Sequence, residues 1–164
     1  MAVTQSGIYT TTLKNAMSGT PHSPVFNLAL NTYKISILDQ STTTPNFDGT
    51  AAWTTSGEVV GTNWTTTGKT LATSATGGTD MVPAIDAGVT TAKYLTYKMT
   101  GALSVATVTF TGGYAAIIYA DPITTPNAKP SIVLINFGAA YGPTAGTFGI
   151  TWDALGVFRI QLAT

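Results

Sequence analysis

The sequence predicts an all-β domain, a β-sandwich or jelly roll with one short N-terminal helix. Three observations carry that expectation: apolar and polar residues alternate along most of the chain, two continuous apolar runs interrupt the alternation, and turn-forming residues separate the segments. Tyr33, Ile35 and Ile37 alternate with Lys34 and Ser36, and Leu95, Tyr97 and Met99 alternate with Thr96 and Lys98. Ala106, Val108 and Phe110 do the same with Thr107 and Thr109. Successive side chains of a strand point to opposite faces, so a period of two assigns one face of each segment to a core.

Tyr114 to Tyr119 and Ser131 to Phe137 are continuous apolar runs, the pattern of strands covered on both faces. Towards the C-terminus Phe148, Ile150 and Trp152 alternate again, then Phe158, Ile160 and Leu162, with Asp153-Ala154-Leu155-Gly156 between them as a turn. Pro45-Asn46, Gly77-Gly78, Gly112-Gly113, Pro126-Asn127 and Gly142-Pro143 supply further turns. On this phase Phe110, Ile117, Leu134, Phe148, Trp152, Phe158 and Ile160 are the expected core. The helix is expected near Ile8 to Ser18, with Ser6 as N-cap and Ile8, Tyr9, Leu13, Ala16 and Met17 on one side. Gly19, Pro21 and Pro24 end it, and Thr10 to Thr12 keep it weak and dependent on docking.

Length and composition bound the function. The 164 residues suit one domain spanning 1–164, with no internal repeat and no linker. There is no cysteine, so disulfides and thiolate chemistry are excluded. Charged residues make up 9% of the chain, against roughly 25% in ordinary domains. Seven Lys plus Arg balance seven Asp plus Glu, so no concentrated basic surface is expected for nucleic acid or an anionic membrane. Threonine, 33 residues of it, takes the place of charge. A surface so poor in charge suits a protein that packs against other subunits. No apolar run approaches the roughly 18 residues needed to span a bilayer. The first seven residues have neither a basic residue nor an apolar stretch, so no secretory signal is expected there.

The residues that could carry chemistry are few. His22 is the single histidine and lies between Pro21 and Ser23-Pro24, a turn rather than a zinc or triad site. The carboxylates are Asp39, Asp48, Glu58, Asp80, Asp86, Asp121 and Asp153; Asp39, Asp121 and Asp153 directly follow strands, where Asx turns account for them. Thr76-Gly77-Gly78-Thr79 lacks the lysine ending of a phosphate loop. The sequence therefore predicts no enzyme, no metal and no cofactor. Trp53 and Trp64, in a threonine-rich segment, are the candidates for a carbohydrate-binding or adhesin module if they are exposed.

Several segments together resemble a known group. They are Leu13 to Gly19, Tyr33 to Asp39, Gly57 to Ala72 with its Gly61-Thr62-Asn63-Trp64 centre, Gly146 to Asp153, and Gly156 to Ile160. Tyr114 to Tyr119 and the strand ending in Asn136-Phe137-Gly138 fall between them. This series resembles small β-sandwich structural proteins of tailed bacteriophages, several of them capsid decoration or cement proteins. The stretch from Gly77 to Met99 has no counterpart in the pattern. The resemblance implies a non-enzymatic protein made in the bacterial host cytoplasm and located in the virion, on the capsid surface. Its expected partners are copies of itself, a homotrimer by analogy with capsid three-fold positions, and the major capsid protein. A tail component is the alternative within that group. Residues 1–7 are expected to form an extended arm, with Val3, Thr4, Gln5 and Ser6 contacting a neighbouring subunit by strand addition.

Overall fold

The computed structural model describes residues 3–18, 22, 33–41, 46–48, 52–71, 82–85, 93–99 and 102–163. The expected turn at Gly77-Gly78, the carboxylates Asp80 and Asp86, and the helix stops Gly19, Pro21 and Pro24 lie outside the described residues. The architecture is all-β and sandwich-like, with one short helix among the described residues. In chain order the elements are β1 (Gly7–Ile8), α1 (Thr10–Met17), β2 (Tyr33–Leu38), β3 (Lys69–Leu71), β4 (Val82–Ile85) and β5 (Lys93–Lys98). They continue with β6 (Leu103–Val108), β7 (Gly113–Ala120), β8 (Ser131–Tyr141), β9 (Gly146–Ile150) and β10 (Phe158–Ala163).

Five strands form the main sheet in the order β1-β8-β7-β2-β3, all neighbours antiparallel. The others form a three-stranded sheet, β10-β5-β4, and a two-stranded sheet, β6-β9. The continuous apolar runs became β7 and the first half of β8, which occupy the middle of the main sheet. Both of its faces are buried there, which is why alternation disappears from those runs.

On the first face Tyr33, Ile35, Ile37, Ala116, Ile118 and Val133 pack with Trp64, Val108, Phe110, Phe148 and Tyr97 from outside the sheet. On the second face Leu38, Ala115, Ile117, Tyr119 and Leu134 pack with Val3, Tyr9, Trp53 and Phe47. Of the expected core, Phe110, Ile117, Leu134 and Phe148 are buried, but Ile117 and Leu134 belong to the second face. Trp152, Phe158 and Ile160 are half-buried and packed against the rim of the first. The alternating pattern finds the inward side of a strand but not how far the opposing layer extends over it.

The helix departs from expectation at its start. Ser6 does not cap it; its hydroxyl accepts the backbone N–H of Asn136 at 2.8 Å, and Gly7 and Ile8 pair with β8. Strand pairing therefore holds the chain extended through Tyr9, and the helix begins at Thr10. Its buried residue is Thr12, whose hydroxyl donates to the Ser131 carbonyl at 2.6 Å. The Thr10 hydroxyl lies 2.8 Å from both the Phe47 carbonyl oxygen and Asp48 Oδ1. Met17, expected on the docked side, is 78% exposed. The threonines that weaken the helix locally are the residues that anchor it.

Candidate functional site

Two regions of the described surface carry more than packing. The first is a polar cluster on the second face of the main sheet, where β2 and β7 lie side by side. Lys34 is the register partner of Tyr119, and Ser36 that of Ile117. Glu58 reaches in from the loop above: Oε1 accepts the Ser36 hydroxyl at 2.8 Å and Oε2 accepts the Thr67 backbone N–H at 3.0 Å. Tyr119 donates its hydroxyl to the Thr67 carbonyl at 2.8 Å. The Trp53 indole stacks on the Tyr119 ring with centroids 4.3 Å apart, and the Lys129 ammonium lies 5.3 Å from the Trp53 ring centre. Asp121 bridges two cations, with Lys34 at 3.2 Å and Lys129 at 3.3 Å.

Burial pushes the Tyr119 phenol far above its ordinary pKa of 10, the nearby Asp121 and Glu58 carboxylates add to the shift, and the Ser36 hydroxyl opposes it. The phenol therefore stays a neutral hydrogen-bond donor. Each charge of the cluster meets a partner from the same chain, so the arrangement latches the loops at Trp53, Glu58, Thr67 and Lys129 onto the sheet. Asp121, expected in an Asx turn, is instead this ion-pair centre. Asp39 and Asp153 do form such turns: Asp39 Oδ1 accepts the Ser41 N–H at 2.8 Å, and Asp153 Oδ1 the Leu155 N–H at 2.7 Å.

The second region is an apolar groove of about 310 Å³ lined by Ile135, Phe137, Tyr141, Phe148, Gly149 and Ile150. It exists because β8 outruns its cover. β1 pairs with Val133 and Leu134 and stops there, and the register with β7 jumps from Ala115↔Asn136 to Gly113↔Tyr141. Phe137 to Ala140 bulge outward between those pairs, with Gly138 at a φ of 75° that suits glycine. Ile135 and Phe137 are consequently half-buried, although the apolar run predicts cover on both sides. The run itself held no signal for the bulge except Gly138.

The other sequence candidates fall as follows. Trp64 is 0% exposed and Trp53 7%, which corrects the expectation that they could stand exposed as sugar platforms. Both were drawn inward because a threonine-rich loop has few other apolar groups to close over the sheet. Val3 is buried against the chain's own second face, while Thr4, Gln5 and Ser6 are exposed and Ser6 bonds to Asn136. The N-terminal arm is thus docked in place, and Thr4 to Ser6 are its outward part. His22 is half-buried. Among the described residues no group of three or more His, Cys, Asp or Glu is placed to hold a metal, and no helix is long and apolar enough to cross a membrane. Comparison with models of known families, with curated proteins and with solved structures found no match to the chain.

Proposed function

We propose that this chain is a bacteriophage virion structural protein, a capsid decoration protein that stabilises the head shell through contacts with copies of itself and with the major capsid protein. The observation that carries the proposal is the distribution of charge on a well-packed β domain. From Met99 to Trp152 the sequence has two charged residues, Asp121 and Lys129, and these face each other 3.3 Å apart. β6, β7, β8 and β9 all lie in this stretch. The exposed part of this stretch, on β6, β9, the end of β8 and the loops that join them, is poorly suited to keeping a monomer dispersed and well suited to burial between subunits. The resemblance of the Tyr33, Gly57 and Gly146 segments to phage head proteins supports the same reading.

Binding to undecorated shells tests it. The purified protein should saturate empty capsids at a fixed number of copies and appear at repeated surface positions in an electron-microscopy map of the particle. Because binding would rest on apolar and backbone contacts, raising salt from about 50 to about 500 mM should change affinity less than threefold. Failure to bind shells carrying the native major capsid protein would remove the proposal.

A further inference from the structure

β6 and the residues after it carry two apolar patterns that one straight strand cannot satisfy together. Leu103 and Val105 fall on one parity, and Ala106, Val108 and Phe110 on the other. The structure reconciles them with one extra residue. Leu103 pairs with Ile150, Ser104 with Gly149 and Val105 with Phe148, but the next pair is Val108 with Gly146, so Ala106 and Thr107 both stand opposite Thr147. This bulge turns Leu103 and Val105 towards the same interior as the buried Val108 and Phe110. It leaves Ala106 exposed, although the alternation groups that residue with Val108 and Phe110. Thr107 sits at a φ of 56°, a left-handed geometry that a β-branched residue rarely adopts. A clamp from the neighbouring turn holds it there. Asn63 Nδ2 donates to the Thr107 carbonyl at 3.1 Å, and the Thr109 N–H donates to the Thr62 carbonyl at 3.1 Å.

We infer that β6 is a two-register strand and that Asn63 is the residue that selects the register. Counted from the same Val108–Gly146 pair, a bulge-free β6 places Thr107 opposite Thr147, Ala106 opposite Phe148, Val105 opposite Gly149 and Ser104 opposite Ile150. A one-residue slip moves every side chain before the bulge to the other face. Leu103 and Val105 then turn outward beside the exposed Thr147 and Gly149, and Ser104 and Ala106 turn inward. The slip frees Thr107 from its left-handed φ; it costs the Asn63 hydrogen bond and the packing of Leu103 and Val105. Both side chains are only half-buried, and Ala106 replaces part of what they cover, so the packing lost is a fraction of a full core pair. The opposing changes make the bulged register the ground state and the slipped one a minor state within reach. The outer face of the β6–β9 sheet is thereby polar while the clamp holds and apolar after the slip. This switch goes beyond the functional proposal and does not rest on it.

The chain has no cysteine, so introduced pairs report the register directly. Ser104→Cys with Gly149→Cys stand opposite each other in the bulged register, and Val105→Cys with Gly149→Cys do so only in the slipped one. A Cβ at Gly149 would meet the Leu103 carbonyl oxygen at 3.4 Å, an ordinary contact. In a glutathione redox buffer the folded full chain should form both disulfides, the first quickly and the second at a rate set by the slip, each read by mass spectrometry of quenched samples. Asn63→Ala should speed the second by about threefold to tenfold, the worth of one hydrogen bond, and leave the first unchanged. Thr107→Gly, which suits a left-handed φ, should slow the second. Deleting Thr107 removes the extra residue, so that Leu103, Val105, Val108 and Phe110 alternate inward along one straight strand. The second disulfide should then be lost, while the first and the circular dichroism spectrum are kept. Absence of the 105–149 crosslink from the parent chain would overturn the inference. Its formation at the same rate in the deletion variant would do so too, because β6 would then fray rather than slip. An Asn63→Ala effect equal on both crosslinks would overturn the selecting role of Asn63 and the switch with it.

Discussion

On one face of the main sheet, Tyr33, Ile35, Ile37 and Ile118 meet side chains carried largely by other strands and their ends; on the other, Leu38, Ile117, Tyr119 and Leu134 lie beneath a helix and loops. The first interior is almost purely apolar. The second contains buried Ser36 and Thr12, the Glu58 carboxylate and the Lys34–Asp121–Lys129 bridge. The difference follows from what each cover brings with it. Strands satisfy their backbone groups within their own sheets, whereas loops arrive with N–H and C=O groups that need partners. Thr67 illustrates the point: in a positive-φ turn, its N–H goes to Glu58 and its carbonyl to Tyr119. The polar cluster is the cost of covering a sheet with irregular chain.

The largest expected effect sits on the apolar face. Trp64 is fully buried, with the Phe148 and Phe110 rings at 5.3 and 5.9 Å. Trp64→Ala should lower stability by about 3–5 kcal/mol, read from urea midpoints, with Trp53→Ala nearer the bottom of that range. Trp64→Phe should cost far less than Trp64→Ala, since the indole N–H it removes has no acceptor among the described residues. Equal losses at Trp53 and Trp64 would break the contrast between the faces.

Alkaline pH should act on both faces next. Burial pushes Tyr9 up to about 12 and raises Tyr33 and Tyr119 as well. An unfolded tyrosine releases its proton near pH 10, so above that pH the folded state binds more protons and stability falls. Urea midpoints should hold steady up to about pH 10 and drop between about pH 10 and 12, with phenolate absorbance rising as the protein unfolds. Tyr9→Phe should flatten part of that drop.

Gly68→Ala probes the turn that carries the cover. Gly68 has a φ of 64°, and a Cβ there would overlap the Ile35 carbonyl oxygen, so the substitution should cost roughly 2 kcal/mol or more. Glu58→Gln keeps the shape and weakens two charge-assisted hydrogen bonds, for about 1–2 kcal/mol. Lys129→Met should be smallest, below about 1 kcal/mol, because its ion pair is partly exposed and its stem can still cover Trp53. A Lys129 loss exceeding that of Glu58 would mean the bridge, not the loop hydrogen bonds, holds the second face.

Alternation at Tyr33 to Ile37 and Phe148 to Ile150, the unbroken runs of β7 and β8, and the turn aspartates Asp39 and Asp153 determined the all-β class and most strand positions from the sequence alone. These are local signals, because side-chain direction repeats every two residues and an Asx turn closes within three. The tertiary structure decided what local signals do not encode: that Ile117 and Leu134 face a different interior from Phe110, and that Trp53 and Trp64 turn inward. It also decided that Ser6 bonds to β8 rather than capping the helix, and that β8 outlasts its cover at Ile135 to leave the groove. Each of these depends on which distant segment arrives on a given face, as Glu58 does over Ser36 and Thr12 over Ser131, and burial is settled by that partner rather than by the residue's own neighbours in the chain.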